Sequence, residues 1–278
     1  MDTQVMKKGL NHAASIRWGL PLLCMGLQCW GQGHFEEVKR FTSRDAHQGV
    51  GVGPNRVYAI GSRSISAHDK LTGALLTEWK PEKVGDWIHL DSGLVRDGKL
   101  FCAHSNYPLL PMTGSVEVYD SMTLEWQSRH VFENPPGSCT WVDWYEGKWW
   151  VCFAHYNGFG GDPRIDHSST TLVRYSEDWR EEKRWGFPQA LLSRFGSYSC
   201  SGGSWGADGF LYCTGHDAAE VYKLRVSDMS GELELLEVQA LACFGQGIAW
   251  DRSSSETPSL YSIKRRSREV VSNVWNDD

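Results

Sequence analysis

From residue 47 onward, hydrophobic and polar residues form a repeating pattern of short strands rather than helices. Each unit begins with an apolar segment that contains glycine and continues through a tight turn into a second β-prone segment that ends in polar residues. Two further amphipathic segments complete the unit. Five such units follow one another along the chain, and they begin near His47, His89, Cys139, Ser201 and Gly245.

Units of this size with four strands each are typical of β-propeller blades, in which four-stranded sheets surround a central tunnel. The sequence therefore predicts an all-β, five-bladed β-propeller. Helical periodicity is confined to residues 188–195, which predicts one short helix. The fifth unit is one strand short, and residues 34–41 can supply the missing outer strand. An N-terminal strand would then close the ring and protect an open sheet edge.

Residues 1–33 have the pattern of a signal peptide. Basic residues precede a short apolar stretch at 19–27, and small residues follow at Gly31 and Gly33. That stretch is too short to span a bilayer as a permanent helix. The expected mature protein is a single propeller domain, residues 34–278, exported to the periplasm or outside the cell. A lipoprotein anchored through Cys24 or Cys29 is the alternative.

Composition and charge narrow the classes of partner. The 278 residues include 29 glycines and 14 tryptophans, and the net charge is −6. No concentrated basic face is available to neutralise a phosphate backbone, which argues against nucleic acid binding. The one basic run, residues 264–268, is expected to be a solvated turn or strand edge. A small molecule or a glycan is therefore the expected ligand, with no stable membrane span, and the oligomeric state stays open.

Six cysteines follow the expected signal peptide, at positions 102, 139, 152, 200, 213 and 243. No Cys-x-x-Cys pair is present, so a thiolate zinc site is not expected. An exported protein could form one or more disulfides, and fifteen pairings are open. Because five of the six lie in or beside apolar strand segments, the preferred interpretation is that they are buried and free.

Propeller topology predicts which residues meet at one mouth of the tunnel. The first strand of each blade starts at the face where the second strand ends, so these positions converge from all blades. Two long connections, residues 105–115 and 157–171, leave the same face and are expected to shape a pocket. Histidines recur at the converging positions: His47 and His89 at starts of first strands, and His104, His155 and His216 at ends of second strands.

These histidines predict a functional site, because neutral imidazoles can coordinate a metal ion or act as bases near neutral pH. We assign His104, His155 and His216 as ligands of a divalent metal or as bases, and His47 and His89 as further ligands or acid–base groups. Substrate binding is assigned to Gln48, Asp91, Asn106, Tyr107, Trp141, Asn157, Asp217 and Gln246. The alternative is that each histidine is satisfied by a backbone carbonyl or an adjacent aspartate and only lines a wet tunnel.

Two resemblances extend these expectations. The first unit, HQGV…RVYAIGS…ISAHDKLTGALL, and the closing GQGIAWD are similar to the plant- and bacterial-type glutaminyl cyclases, which implies a five-bladed propeller. That family's second-strand glutamate falls here at Ala59 or Ile60, and its EGWGL-like motif is replaced by SGGSWG, so cyclase chemistry is not expected. The segments HSNYP, FAHYNG and TGHD resemble a family of uncharacterised exported bacterial β-propellers, some of which are named cycloisomerases.

The combined features predict an exported enzyme that acts on a small polar or carbohydrate-derived substrate at the histidine-lined mouth. The reaction would be an elimination, isomerisation or hydrolysis that uses a metal ion or histidine-mediated proton transfer. A non-catalytic propeller that binds a glycan or a protein through the same face is the competing hypothesis. No Ser-His-Asp order, phosphate loop or dinucleotide fingerprint is present in the sequence.

Overall fold

The computed structural model describes residues 33–83, 85, 87–158, 162–253 and 258–277, and all but the last residue of the expected signal peptide lies outside them. In this part of the chain, twenty strands form five four-stranded antiparallel sheets. The first strands of successive sheets pack side by side, and the fifth returns to the first. The predicted five-bladed β-propeller is therefore confirmed. Among the described residues, no helix is both long enough and apolar enough to cross a membrane.

Each blade is a meander in which the first strand lies innermost. Blade 1 consists of β2 (Gly49–Val52), β3 (Arg56–Gly61), β4 (Ser64–Asp69) and β5 (Leu75–Trp79). Blade 2 consists of β6 (His89–Arg96), β7 (Lys99–Ser105), β8 (Gly114–Asp120) and β9 (Trp126–Phe132). Blade 3 consists of β10 (Ser138–Tyr145), β11 (Lys148–Ala154), β12 (Thr171–Tyr175) and β13 (Glu181–Gly186).

The last two blades complete the ring. Blade 4 consists of β14 (Gly202–Trp205), β15 (Leu211–Thr214), β16 (Glu220–Arg225) and β17 (Glu234–Ala240). Blade 5 consists of β18 (Ala249–Asp251), β19 (Ser259–Lys264), β20 (Glu269–Asn276) and, outermost, β1 (His34–Thr42).

Strand β1 closes the ring, as the incomplete fifth unit predicts. It pairs antiparallel with β20, with a bulge at Val38. Alternate side chains point inward: Phe35 contacts Tyr212 of blade 4, and Phe41 packs against His68 of blade 1. One N-terminal strand therefore connects the last blade to both of its neighbours.

The predicted helix is present as α1 (Gln189–Phe195), between blades 3 and 4. Its residues Leu191, Leu192 and Phe195 are buried in the apolar core that these two blades share. A 3₁₀ turn, Gly196–Tyr198, follows directly and leads the chain back to the tunnel mouth.

The six cysteines are buried and free, so the disulfide alternative is not realised. They behave as small apolar groups within and between blades. Cys200, for example, accepts a hydrogen bond from Nε1 of the fully buried Trp141 at 3.3 Å.

Close packing between blades 3 and 4 requires glycine at position 203. A Cβ added to Gly203 would lie 2.3 Å from the indole of Trp141, which is fully buried and has no room to move. We expect Gly203→Ala to lower the free energy of unfolding by about 1–3 kcal/mol in urea denaturation. Gly186→Ala is the matched control, because nothing lies within 4 Å of its added Cβ. The control should change stability by less than about 0.5 kcal/mol, and equal losses for the two variants would contradict the steric argument.

Candidate functional site

A cavity of about 230 Å³ opens at the tunnel mouth where the first strands begin. All five blades or the connections between them contribute to it, as the topology predicts. We call it the mouth cavity, and its lining residues are Gln48, His89, Asp91, Tyr107, Thr140, Tyr156, Tyr198, Ser201, His216, Gln246 and Arg265.

Three tyrosines form the aromatic wall of the mouth cavity. Tyr107 and Tyr156 follow the second strands of blades 2 and 3, and their rings meet edge to face with centroids 5.0 Å apart. Tyr198 ends the 3₁₀ turn after α1 and stacks on His216 at 4.4 Å. Aromatic faces beside polar groups suit the binding of sugar rings or planar acids.

His89 and Asp91 form a close acid–base pair on β6. They are two residues apart on one strand, so their side chains share a face, and His89 Nε2 lies 3.5 Å from Asp91 Oδ1. Burial raises the pKa of Asp91 well above its ordinary value, although the positive charge of Arg265 opposes the shift. Burial also lowers the pKa of His89 to about 4, and the Arg265 and His47 charges add to this shift. Burial therefore favours the uncharged form of both groups, the combination in which Asp91 can donate a proton and His89 can accept one.

His216 is oriented by an aspartate on one side and an arginine on the other. Its Nδ1 lies 2.8 Å from Asp217 Oδ1, and its Nε2 lies 3.1 Å from Arg265 Nη1. The carboxylate only accepts and the guanidinium only donates, so we assign the proton to Nδ1 and a lone pair to Nε2. Asp217 therefore holds His216 in one tautomer and one orientation.

Two buried glutamines contribute fixed amides to the mouth cavity. Gln48 Nε2 donates to Ser62 Oγ at 2.8 Å, and Gln246 Nε2 donates to the carbonyl of His216 at 3.1 Å. Gln246 also has a φ of 75°, a backbone conformation that is uncommon outside glycine and that occurs often at binding sites. Such tethered amides are suited to orienting the hydroxyl groups of a ligand.

His104 lies outside the mouth cavity. It is paired across the strands with Leu90, whereas His89 is paired with Ser105, and cross-strand partners share a face. His104 therefore points with Leu90 into the blade interface. There its Nε2 accepts from the Ile88 amide at 3.2 Å, and its Nδ1 lies 3.1 Å from Ser115 Oγ.

His155 also lies elsewhere, in a cavity beneath the two long loops. Its Nε2 bonds to the Pro136 carbonyl. The structure consequently separates His104, His155 and His216, and the expected three-imidazole ligand set is not formed. Nowhere in the described part of the chain do three or more His, Cys, Asp or Glu side chains form a group that could hold a metal ion. A bound divalent metal stays an expectation from the sequence, and we derive no chemical step through a metal.

Of the remaining predicted residues, some line the mouth cavity, and others hold the long loops or pack in the core. Asn106 and Asn157 brace the two long loops: their Oδ1 atoms accept from the amides of Thr113 and His167 at 2.8 and 2.9 Å. Trp141 packs in the core, because a register shift between positions 139 and 141 turns its neighbour Thr140 toward the tunnel instead. The other predicted residues that line the mouth cavity are Gln48, Asp91, Tyr107 and Gln246.

His47 lines a second cavity of about 490 Å³ beside the first. We call it the flanking cavity. The two cavities share His89 and Tyr107. Burial lowers the pKa of His47 to about 4, and the charges of Arg265 and Arg268 contribute.

Arg265, Tyr198 and Thr140 line the mouth cavity but were missed by the sequence analysis. Arg265 follows β19 directly, at the end of a second strand, within the basic run that was expected to be a solvated turn or strand edge. The histidines were located at the ends of second strands, and the same criterion applied to β19, which ends at Lys264, leads to Arg265 one position later. Tyr198 has no counterpart in the repeat, because it belongs to the inserted turn after α1.

The lowered pKa of His89 makes the stability of the protein depend on pH. The folded-state pKa is about 4 and the ordinary value is 6.5, so between these values the unfolded chain binds more protons. Stability is therefore lost as the pH falls through this window. The free energy of unfolding can be measured by urea denaturation at pH 7 and at pH 5. We expect its decrease between these pH values to be about 1–2 kcal/mol smaller for His89→Gln than for the wild type. Between pH 7 and pH 8, where His89 stays neutral, the free energies of unfolding of the two proteins should change in parallel. Equal decreases for the two proteins between pH 7 and pH 5 would contradict the lowered pKa.

Comparison with solved structures supports the β-propeller fold. It is similar to the PQQ-bound aldose sugar dehydrogenase from Streptomyces coelicolor, with a TM-score of 0.55, 9% identity, and coverage of 88% of this chain and 99% of that one. A putative gluconolactonase gives a TM-score of 0.50 at 15% identity, with coverage of 88% and 92%. A luciferin-regenerating enzyme gives 0.50 at 8% identity, with coverage of 88% and 95%.

At these identities the similarity shows the propeller fold and not the chemistry. No family model matches the chain, and no curated protein matches it. None of the three structures is a glutaminyl cyclase, so that resemblance stays an expectation from the sequence.

Proposed function

We propose that the mouth cavity is the active site of an enzyme that transfers protons on a small polar or carbohydrate-derived substrate. The His89–Asp91 pair carries this proposal. It places a base and a carboxylic acid, whose uncharged forms are favoured by burial, 3.5 Å apart in a cavity with an aromatic wall. Eliminations, isomerisations and hydrolyses all require one group that accepts a proton and one that donates it. Two proteins of similar fold, an aldose sugar dehydrogenase and a putative gluconolactonase, support a sugar-derived substrate.

In this proposal His89 Nε2 removes a proton from the substrate or from water, and Asp91 donates its proton to the leaving or developing oxygen. The pair is then charged, and the 3.5 Å separation of Nε2 and Oδ1 allows the proton to return to Asp91. The tyrosine wall and the tethered amides of Gln48 and Gln246 orient the substrate. Such positioning contributes to the rate independently of the proton transfer.

The test is a survey of chemical conversion by NMR. Purified protein is incubated in D₂O with monosaccharides, disaccharides, sugar acids and their lactones, and product formation and deuterium incorporation at carbon are followed. We expect conversion or exchange with at least one of these classes, and loss of it in Asp91→Asn. Binding without any conversion or exchange would contradict an enzyme.

The aromatic wall also supports the competing hypothesis of a glycan-binding propeller. Tyr107, Tyr156 and Tyr198 would stack on sugar rings whether or not proton transfer occurs. The two hypotheses differ in the role of Asp91. A binding module should retain its affinity in Asp91→Asn and show no chemistry in either form.

A further inference from the structure

The mouth cavity contains a guanidinium group without a carboxylate partner. Arg265 is half-buried and donates to His216 Nε2 at 3.1 Å, and no carboxylate among the described residues lies within ion-pair distance of it. Among the described residues, Asp91 is the one carboxyl group that lines the cavity, and it is buried. Burial raises its pKa well above the ordinary value, which disfavours the charged form that could neutralise Arg265. A fixed positive charge in a recessed site of this kind favours a ligand that supplies the missing negative charge.

The flanking cavity extends the positive charge beyond His89. Its lining includes Arg44, Arg63 and Arg268. Arg44 is already paired, because its Nη2 lies 2.7 Å from Glu78 Oε1 and its Nε lies 3.9 Å from Asp45, the one acidic lining residue among those described. Asp45 also accepts hydrogen bonds from the hydroxyls of Ser64 and Ser66. The exposed guanidinium of Arg63 has no hydrogen-bond or ion-pair partner within the described part of the chain.

We propose that the ligand of the mouth cavity is a sugar acid whose carboxylate pairs with Arg265, and that a second acidic unit occupies the flanking cavity at Arg63. This inference rests on the proposed function for the site and narrows its substrate class from polar small molecules to uronic or aldonic acids. The planar guanidinium can bind a carboxylate through two parallel N–H···O bonds, which a neutral hydroxymethyl group cannot accept. The shared wall of His89 and Tyr107 makes the two cavities contiguous, so one short acidic chain can span them.

The experiment compares methyl β-glucuronide with methyl β-glucoside, which differ only by a carboxylate in place of a hydroxymethyl group. Dissociation constants are measured by isothermal titration calorimetry for the wild type, Arg265→Gln and Arg266→Gln. Arg266 is the matched control, because it is the adjacent residue, carries the same charge and is exposed outside the cavity. We expect the wild type and Arg266→Gln to bind the glucuronide roughly ten- to a hundredfold more tightly than the glucoside. Arg265→Gln should bind the two with similar affinity.

The second acidic unit is tested with a disaccharide of uronic acids. The wild type should bind it more tightly than the single uronide, and Arg63→Gln should lose that gain while it retains the preference for the single uronide over the glucoside. Thermal melting of each variant establishes that the fold is intact. Should Arg265→Gln fail to fold, Arg265→Lys takes its place and should keep only part of the preference, because lysine retains the charge without the paired N–H donors.

Equal binding of the two glycosides by the wild type, binding of neither, or an unchanged preference in Arg265→Gln would each overturn the inference. These outcomes are separate from the fate of the proposed function. If neutral sugars are converted and the conversion depends on Asp91, the proposed enzyme holds and the recognition of acidic sugars fails. If the protein prefers the carboxylate but converts no substrate, the recognition of acidic sugars holds and the proposed enzyme fails.

Discussion

Replacing His89 by glutamine is expected to lower kcat for the substrate found in the conversion survey by about 10²–10⁴-fold, the usual contribution of a positioned acid–base group. Glutamine has a similar size and remains polar, but it cannot accept a proton near neutral pH. The substitution alters the ring contact of His89 with Tyr107, whose centroids are 5.3 Å apart, but leaves Tyr156, Tyr198 and the tethered glutamines in place. KM should therefore change less than kcat. Initial rates over a range of substrate concentrations separate the two parameters.

His130→Gln is the matched control for this variant. His130 lies on β9, the outer strand of blade 2, where its ring stacks on Trp179 at 4.2 Å, and it does not line the mouth cavity. Its substitution should leave kcat within about twofold of the wild type, because surface changes away from the site have small effects. In the wild type, the rate should fall as the pH drops through about 4, where His89 becomes protonated. Full activity of His89→Gln would remove the base from the mechanism.

The fold was predictable because its main features are repeated in the sequence. Five copies of one strand pattern specify five blades, and the missing strand of the last copy identified residues 34–41 as the closing strand. Strand β1 spans His34–Thr42, and α1 begins one residue after the predicted start at residue 188. A repeat of this kind averages over local ambiguities, since each blade supplies an independent copy of the same signal.

The location of the site was also predictable, but the side-chain directions were not. Topology brings the starts of first strands and the ends of second strands to one mouth, and this holds for His89, Asp91 and His216. Whether a side chain enters the tunnel or a blade interface depends on register, and a shift of one residue exchanges the two faces. His104 illustrates this: it is one position removed from Ser105, the cross-strand partner of His89, and therefore faces the core.

Register irregularities explain another error. The shift in β10 between positions 139 and 141 places Thr140 in the mouth cavity and Trp141 in the core, and nothing in the sequence marks the bulge. The charges of the site were not predictable either, because the raised pKa of Asp91 and the pairing of Arg265 with a histidine instead of a carboxylate depend on neighbours from other blades. Such relations across the ring are set by the three-dimensional arrangement and not by local sequence.

Deleting the closing strand, His34–Thr42, is expected to reduce the free energy of unfolding by several kcal/mol. The inward residues Phe35 and Phe41 together account for about 3–6 kcal/mol of apolar burial, and the backbone edge of β20 would also be exposed. Domains of this kind are stable by only about 5–15 kcal/mol in total. The truncated protein should therefore melt at least about 10 °C lower than the full domain, or fail to fold, as measured by circular dichroism.

Point variants on the same strand separate apolar packing from pairing of the backbone. Phe35→Ala removes a ring that contacts Tyr212, Trp250 and Trp275 within 6.5 Å, and a loss of about 3 kcal/mol is expected from such a truncation. Val38→Ala is the matched control, because Val38 is 53% exposed at the bulge and contributes little to the core. The control should melt within about 2 °C of the wild type. An unchanged melting temperature for the deletion or for Phe35→Ala would show that the propeller does not depend on this strand for closure. Three strands would then be enough for a stable fifth blade, although β1 pairs with β20 as its fourth strand.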